Sequence, residues 1–234
     1  MPLRLVLLHS PLLGPLSWRA VVEALGARGR LAEAPAWPGL LEVAGDFYPA
    51  LAEGLARTID AGGAAPAILV AHSGAGALVP SIVAAAETPV AGVIFADAIL
   101  PHPGKSWFET APAALSVQLR GGAQQGLLPA WDAWWPPGAL ERLIPDETLR
   151  AALTDELEPL PAAYFEETAP ELGLGAPCAY LRLSGAYEEE ARQAVRRGWP
   201  VVRLPLHHLA MLTQAQAVAN GLETLAAALE AKDG

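Results

Sequence analysis

The sequence predicts an α/β domain: a doubly wound, mostly parallel six-stranded sheet carrying a helical cap insertion. Three observations predict it. Short apolar runs rich in Val, Ile and Leu recur along the chain, and their hydrophobicity is near-continuous rather than alternating, as a parallel strand requires when helices cover both sheet faces. Stretches with helical spacing separate those runs, so strand and helix alternate. The alternation then fails over one long segment, residues 99–177, which is dense in Pro and Gly.

The first predicted strand covers residues 3–8 and is followed by a helix over 16–28. A weak strand at 30–34 leads through a helix over 41–61 to a strand at 67–71, which turns directly into a helix over 74–86. The strand at 90–96 precedes the insertion. After the insertion come a strand over 178–183, a helix over 188–197, an apolar run at 201–206 and a last helix over 215–231. Arg203 and Pro205 interrupt the 201–206 run and mark it as an edge strand, where a missing N–H is tolerated. Within the insertion the spacing supports short helices at 139–143 and 146–156. A loop of that length without structure would count against the assignment, so the segment reads as a small helical cap over one end of the sheet. Residues 1–98 and 178–234 then form the core and 99–177 the cap.

The composition narrows the function classes. A chain of 234 residues suits one compact core with an insertion. With 15 Lys and Arg against 25 Asp and Glu, a net charge of -10 would repel a phosphate backbone or an anionic membrane surface, which argues against nucleic acid and membrane as partners. The one cysteine, Cys178, can form no intramolecular disulfide and cannot supply a cluster of thiolates for zinc. A mean hydropathy of +0.30 raises the question of a membrane span. The charge-free stretch 61–86 contains Pro66, His72, Ser73, Gly74, Gly76 and Pro80, poor material for a spanning helix, and reads as buried interior. The start of the chain runs into an apolar stretch that ends at His9, about half of a secretory signal. The cytoplasm is the expected location, and a homodimer the assembly to be expected if one forms.

The stretch Ile68-Leu69-Val70-Ala71-His72-Ser73-Gly74-Ala75-Gly76 carries the chemistry. It is an apolar strand turning straight into a helical segment with a serine at the turn. In a nucleophile elbow the serine is strained, and the residues two before and two after must be small so that strand and helix can approach. Ala71 and Ala75 meet that need, where glycine is usual. The helix that follows aims its N-terminal amides at the serine, which favours a developing oxyanion. The alternative is a capping serine at an ordinary helix start.

Here the chain resembles the α/β-hydrolase superfamily over nearly its whole length. Leu5-Val6-Leu7-Leu8-His9-Ser10-Pro11, followed by Gly14 and Trp18, is similar to the first core strand and oxyanion loop of that superfamily. Ser73 takes the place of its elbow, a strand ending in Asp97 follows, then the cap. His208-Leu209-Ala210-Met211-Leu212 resembles its histidine loop before the last helix. The order Ser, acid, His is the superfamily order. The resemblance implies that Ser73 is the nucleophile and that His208, rather than the adjacent His207, is general base and then acid. His72 and His9 are expected in structural roles, and His102 lies at the start of the insertion.

The resemblance leaves two candidates for the acid. Most relatives carry it after the strand at 178–183, where Glu188 is available, although three acids in a first helical turn are also what a helix dipole favours. Asp97 corresponds to the place used by the haloalkane dehalogenase branch, and a carboxylate ending an apolar strand needs a partner such as an imidazolium. Asp97 is favoured. The oxyanion hole also departs from the pattern. Gly74 N–H is one donor, but the residue expected to give the other is Pro11, which has no N–H. Leu12 N–H or the Ser10 hydroxyl would have to replace it.

Trp107, Trp131, Trp134 and Trp135, with Phe108, Tyr164 and Phe165, offer either a substrate pocket or the cap's own packing. The acids Glu156, Glu158, Glu166, Glu167 and Glu171 are expected on a solvated face. The reading is a serine hydrolase cleaving a small, largely apolar carboxylic ester, thioester or amide through an acyl-enzyme, with no metal or organic cofactor and a small-molecule substrate as partner. The alternatives are a lyase resembling the plant hydroxynitrile lyases, whose lysine after the histidine is replaced here by Leu209 and Ala210, or another C–C bond lyase on the same scaffold, and a non-catalytic ligand-binding protein.

Overall fold

The computed structural model describes residues 2–43 and 45–231. The chain runs β1 (Arg4–Leu8), α1 (Leu16–Gly26), β2 (Ala32–Glu33), α2 (Phe47–Ala61), β3 (Ala67–Ser73), α3 (Ala75–Ala85) and β4 (Val90–Ala98). The insertion holds α4 (Trp107–Thr110), α5 (Ala113–Gly122), β5 (Leu127–Leu128), α6 (Ala139–Leu143), α7 (Glu147–Thr154), β6 (Leu160–Pro161) and α8 (Ala162–Glu166). The core resumes with β7 (Cys178–Arg182), α9 (Glu188–Arg196), β8 (Val201–Arg203), α10 (Ala210–Thr213) and α11 (Ala215–Glu230).

Among the described residues the main sheet has six strands in the order β2-β1-β3-β4-β7-β8, all neighbours parallel. The expected doubly wound sheet is therefore present. Parallel crossovers are right-handed. Because β1 to β2 steps one way and β2 to β3 the other, α1 and α2 lie on opposite faces, and α3 joins α2. Helix α11 packs against α1, β4 and β7 and completes the first face. Leu5 to Leu8 in β1 and Ala67 to His72 in β3 are fully buried, which is why their hydrophobicity does not alternate. β8 lies at the sheet edge and is only partly covered, as its Arg203 required.

The helices follow from apolar stripes. In α11, Val218, Ala219, Leu222, Leu225, Ala226 and Leu229 are buried, the i, i+3, i+4, i+7 series of one helix face. One expectation fails: the helix predicted over 41–61 is a short 3-10 turn at Leu40–Glu42 followed by α2 from Phe47. Gly45 stands at φ 96°, outside the right-handed helical region, and divides the two. The weak strand at 30–34 shrinks to two residues for want of a second neighbour.

The cap lies between β4 and β7 and carries its own two-stranded antiparallel ribbon, β5 with β6. Ser106 and Glu109 form a reciprocal capping box at α4, and Asp146 caps α7 through Leu149 N–H at 3.0 Å. Two cap acids also reach core helices. The Glu167 carboxylate accepts from Phe47 N–H (2.6 Å) and Tyr48 N–H (2.9 Å), the first turn of α2. Glu156, though exposed, accepts from Leu16 N–H at 3.2 Å at the start of α1. Neither helix has a side-chain cap of its own. The sequence reading missed this because a carboxylate in the cap finds its helix N-terminus only through tertiary contact.

Candidate active site

Ser73 ends β3 and stands at φ 54°, a left-handed conformation that a serine holds only when the surroundings fix it. The fixing comes from crowding. A Cβ added to Gly76 would lie 2.0 Å from the Ile99 carbonyl oxygen, so α3 can begin this close to the end of β4 only with glycine there. Ala71 and Ala75 are fully buried in the same crossing. Across the elbow, β4 is irregular too: its register against β3 shifts between His72 and Ser73, and Asp97 has φ 46°. The Tyr180 hydroxyl donates to the Ala98 carbonyl at 2.8 Å and accepts from Ala98 N–H at 3.2 Å, tying down the backbone beside the kink.

The two kinks bring three side chains into one line. His208 Nδ1 lies 2.8 Å from Asp97 Oδ2, and its Nε2 lies 3.2 Å from Ser73 Oγ. A carboxylate accepts only, so Nδ1 carries the proton and Nε2 presents a lone pair to the Ser73 hydroxyl. Asp97 is fully buried and its oxygens are all engaged. Oδ1 accepts Leu183 N–H and Ser184 N–H, both at 2.8 Å, and Oδ2 accepts the Ser184 hydroxyl at 2.6 Å. Burial works to raise its pKa; the hydrogen bond and charge of His208 and the bonds from Ser184 more than offset this and hold it below the ordinary carboxylate value.

The sequence matches the profile of the Alpha/beta hydrolase family over residues 5–220. The chain belongs to that family. No curated protein sequence matches it. Among solved structures it is similar to an extracellular α/β-hydrolase from a Paenibacillus species, described as sharing structural and functional homology with tobacco salicylic acid binding protein 2, at 19% identity and TM-score 0.75, covering 96% of this chain and 99% of that one. A pyrethroid hydrolase from Sphingobium faniae superposes at 20% identity and TM-score 0.71, covering 97% and 98%. Tomato methylketone synthase I superposes at 15% identity and TM-score 0.72, covering 98% and 99%. At these identities the likeness is one of fold.

Within this family fold the other predicted residues fall as follows. Glu188 is not in the Asp97–His208–Ser73 line. It opens α9 and pairs with Arg182 Nε at 3.1 Å and Arg203 Nε at 3.2 Å. His207 bonds Thr213 Oγ1 at 2.9 Å, and His102 bonds the Lys105 carbonyl at 2.9 Å, both apart from the line. His72 is fully buried, with Nε2 3.1 Å from the His208 carbonyl; burial first and the neighbouring His208 second keep it neutral. His9 donates from Nδ1 to the Ser10 carbonyl at 2.8 Å, and burial depresses its pKa to about 4.

Ser10 is buried and sits against the elbow: a Cβ on Gly74 would be 3.3 Å from its Oγ, with Pro11 Cδ and Leu12 Cδ1 next. Leu12 N–H donates to Ser10 Oγ at 3.3 Å and is thereby occupied, and among the described residues the Ser10 hydroxyl is given no acceptor.

The four tryptophans do not share one pocket. Trp107 and Trp134 join Phe108 and Phe165 in an aromatic cluster inside the cap, and the Trp134 indole donates to the Pro129 carbonyl at 2.8 Å. Trp131 is buried edge-to-face against Trp135, which is 44% exposed. Among the described residues no ring contact or hydrogen bond joins any of the four to Ser73 or His208. A cavity of about 280 Å³ lies instead beside the Ser10–Gly14 loop, between core and cap, lined by His9, Leu12, Trp37, Leu40, Glu156 and Leu160 among others. Ser73 does not line it; Pro11 and Leu12 do, and they border Gly74.

Two residues at the site escaped the sequence reading. Ser184 orients Asp97, and Tyr187 places its hydroxyl 3.4 Å from Ser73 Oγ with its ring stacked on His208, centroids 4.9 Å apart and planes 8° from parallel. Only the Ser184-Gly185-Ala186-Tyr187 turn after β7, already of interest as the usual place of the acid, could have drawn attention to them. Among the described residues no group of three or more His, Cys, Asp or Glu is arranged to hold a metal ion, and no helix is long and apolar enough to cross a membrane.

Proposed function

We propose that the chain is a serine hydrolase that cleaves small, largely apolar carboxylic esters through an acyl-enzyme. The observation that carries this reading is the Asp97–His208–Ser73 line, at 2.8 and 3.2 Å, meeting a strained serine at the head of α3. Ser73 attacks the carbonyl carbon as His208 Nε2 takes its proton, and Asp97 holds the imidazole in the accepting tautomer. The imidazolium then gives that proton to the leaving oxygen. The same base activates water to release the acid. The oxyanion is met by Gly74 N–H and by the Ser10 hydroxyl, which stands in for the N–H that Pro11 lacks. Family membership and the naming of a similar structure as a pyrethroid hydrolase support hydrolysis as the chemistry. The cavity beside the Ser10–Gly14 loop, lined by Leu12, Trp37, Leu40 and Leu160 together with His9, Asp155, Glu156 and Glu158, is of a size for a small acyl or alcohol group.

The test is a screen of 4-nitrophenyl esters of increasing acyl length with Ser73→Ala as control. A burst of nitrophenol stoichiometric with enzyme, lost in Ser73→Ala, is expected. Absence of ester turnover together with cyanohydrin cleavage would replace the reading by a lyase. Ligand-induced thermal stabilisation that persists in Ser73→Ala, with no turnover by the unaltered chain, would replace it by a binding protein.

A further inference from the structure

We propose that Tyr187 is a further catalytic residue, a hydrogen-bond donor to the leaving-group oxygen during acylation and to the attacking water during deacylation. The proposal rests on the serine-hydrolase reading and adds a group to it.

The placement of the hydroxyl carries the argument. Tyr187 O–H is 3.4 Å from Ser73 Oγ, and His208 Nε2 is 3.2 Å from the same atom. The phenol ring lies flat against the imidazole. Tyr187 therefore approaches the nucleophile alongside His208, whereas Gly74 and Ser10 border the elbow at the head of α3. In the resting enzyme Ser73 donates its proton toward Nε2, so the Ser73 oxygen is the acceptor and Tyr187 the donor.

The substituents of the tetrahedral centre sort by what faces them. The oxyanion turns to Gly74 N–H and Ser10 O–H. The leaving group must turn to His208, since Nε2–H is the acid that protonates it. A donor beside His208 meets that same oxygen.

In the step itself the C–O bond to the leaving group breaks and its electron pair stays on that oxygen, which takes the proton from His208 Nε2. Tyr187 transfers no proton; its hydrogen bond stabilises the charge that accumulates before His208 delivers its own. Burial raises the Tyr187 pKa, and the hydroxyl stays protonated through the neutral range.

The consequence is a dependence on leaving group that a packing role would not produce. An alkoxide develops much charge on departure and needs the donor; 4-nitrophenolate delocalises its charge and needs it little. Tyr187→Phe keeps the ring stacked on His208 and removes only the hydroxyl. For the ethyl ester of an accepted acid, kcat/KM is expected to fall about 10- to 100-fold, the range for a hydrogen bond to a charged group. For the 4-nitrophenyl ester of the same acid the change should stay within about 3-fold, as for a neutral contact of small net value. Labelling of Ser73 by a fluorophosphonate, run in parallel, should keep its rate and so report an intact nucleophile and base.

Equal slowing of both esters would overturn the proposal and make Tyr187 a positioning residue for the His208 ring. No slowing of either would overturn it as well. Retention of turnover on both esters by Ser73→Ala would instead remove the serine-hydrolase reading on which it stands, so the two failures are distinguishable.

Discussion

Replacing Asp97 by asparagine should abolish turnover while leaving the fold in place, and the hydrogen-bond inventory says why. Oδ1 of Asp97 receives two backbone N–H groups, from Leu183 and Ser184, and Oδ2 faces His208 Nδ1 and the Ser184 hydroxyl. An asparagine must keep its oxygen toward the two N–H groups, because an amide NH2 there would confront two donors. Its NH2 then faces His208. The imidazole is forced to accept at Nδ1 and to carry its proton on Nε2, facing Ser73, where it can no longer take the serine proton. A wrong tautomer of this kind costs about 10,000-fold in kcat, or about 5.5 kcal/mol in the barrier. Stability should fall by about 2–4 kcal/mol from the weakened bonds to His208 and Ser184. The assay is kcat on a 4-nitrophenyl ester together with a urea melt, with Glu188→Gln in parallel. Glu188 is a partly exposed ion-pair partner of Arg182 and Arg203, so its replacement should cost within about 1 kcal/mol of stability. Its kcat should stay close to that of the unaltered chain. Retention of a tenth or more of kcat by Asp97→Asn, or a collapse confined to Glu188→Gln, refutes the assignment of the acid.

Ser10→Ala should lower kcat about 100- to 1000-fold with little change in KM, the signature of a lost oxyanion donor; an unchanged kcat would return the role to Leu12 N–H. Stability should also respond to acid through His9, whose pKa drops from 6.5 to about 4 on burial. The folded state binds fewer protons than the unfolded one in that window, so stability is full above pH 6.5 and is lost as the pH falls toward 4, by about 3 kcal/mol in all. Urea melts across that range should show a shallower decline in His9→Gln, and an unchanged decline would place the effect elsewhere. Gly76→Ala should destabilise by about 1–3 kcal/mol and lower turnover, because the added carbon meets the Ile99 carbonyl and displaces the strand that braces the elbow. Glu167→Gln removes the charge at the N-terminus of α2 and should cost about 1 kcal/mol, with faster proteolysis within the cap as the readout; equal proteolysis would show that the cap docks without it.

The strand and helix order was legible because each element carries its own local signal. β1 and β3 announce burial on both faces by unbroken apolar runs, β8 announces an edge by Arg203, and α11 announces one buried face by its period. Ser73 was legible because an elbow constrains consecutive residues. The break at Gly45 was not, since a glycine inside a helical pattern is tolerated in many contexts and only its φ decides.

The sequence by itself determined the sheet, the place of the cap, and the positions of Ser73 at a strand-to-helix turn and His208 before the last helix, because those properties live in contiguous stretches whose periodicity and size follow from local chemistry. Tertiary structure decided the rest. It put Asp97 against His208 and Glu188 among arginines. It turned Glu156 and Glu167 onto helix N-termini, took Trp107, Trp131 and Trp134 into the cap's own packing, and brought Ser184 and Tyr187 against the site. Most of these bring together groups distant in the chain. A carboxylate, an indole or a phenol has the same local preferences wherever it falls, and only the neighbours that the fold supplies distinguish a ligand of histidine from a partner of solvent.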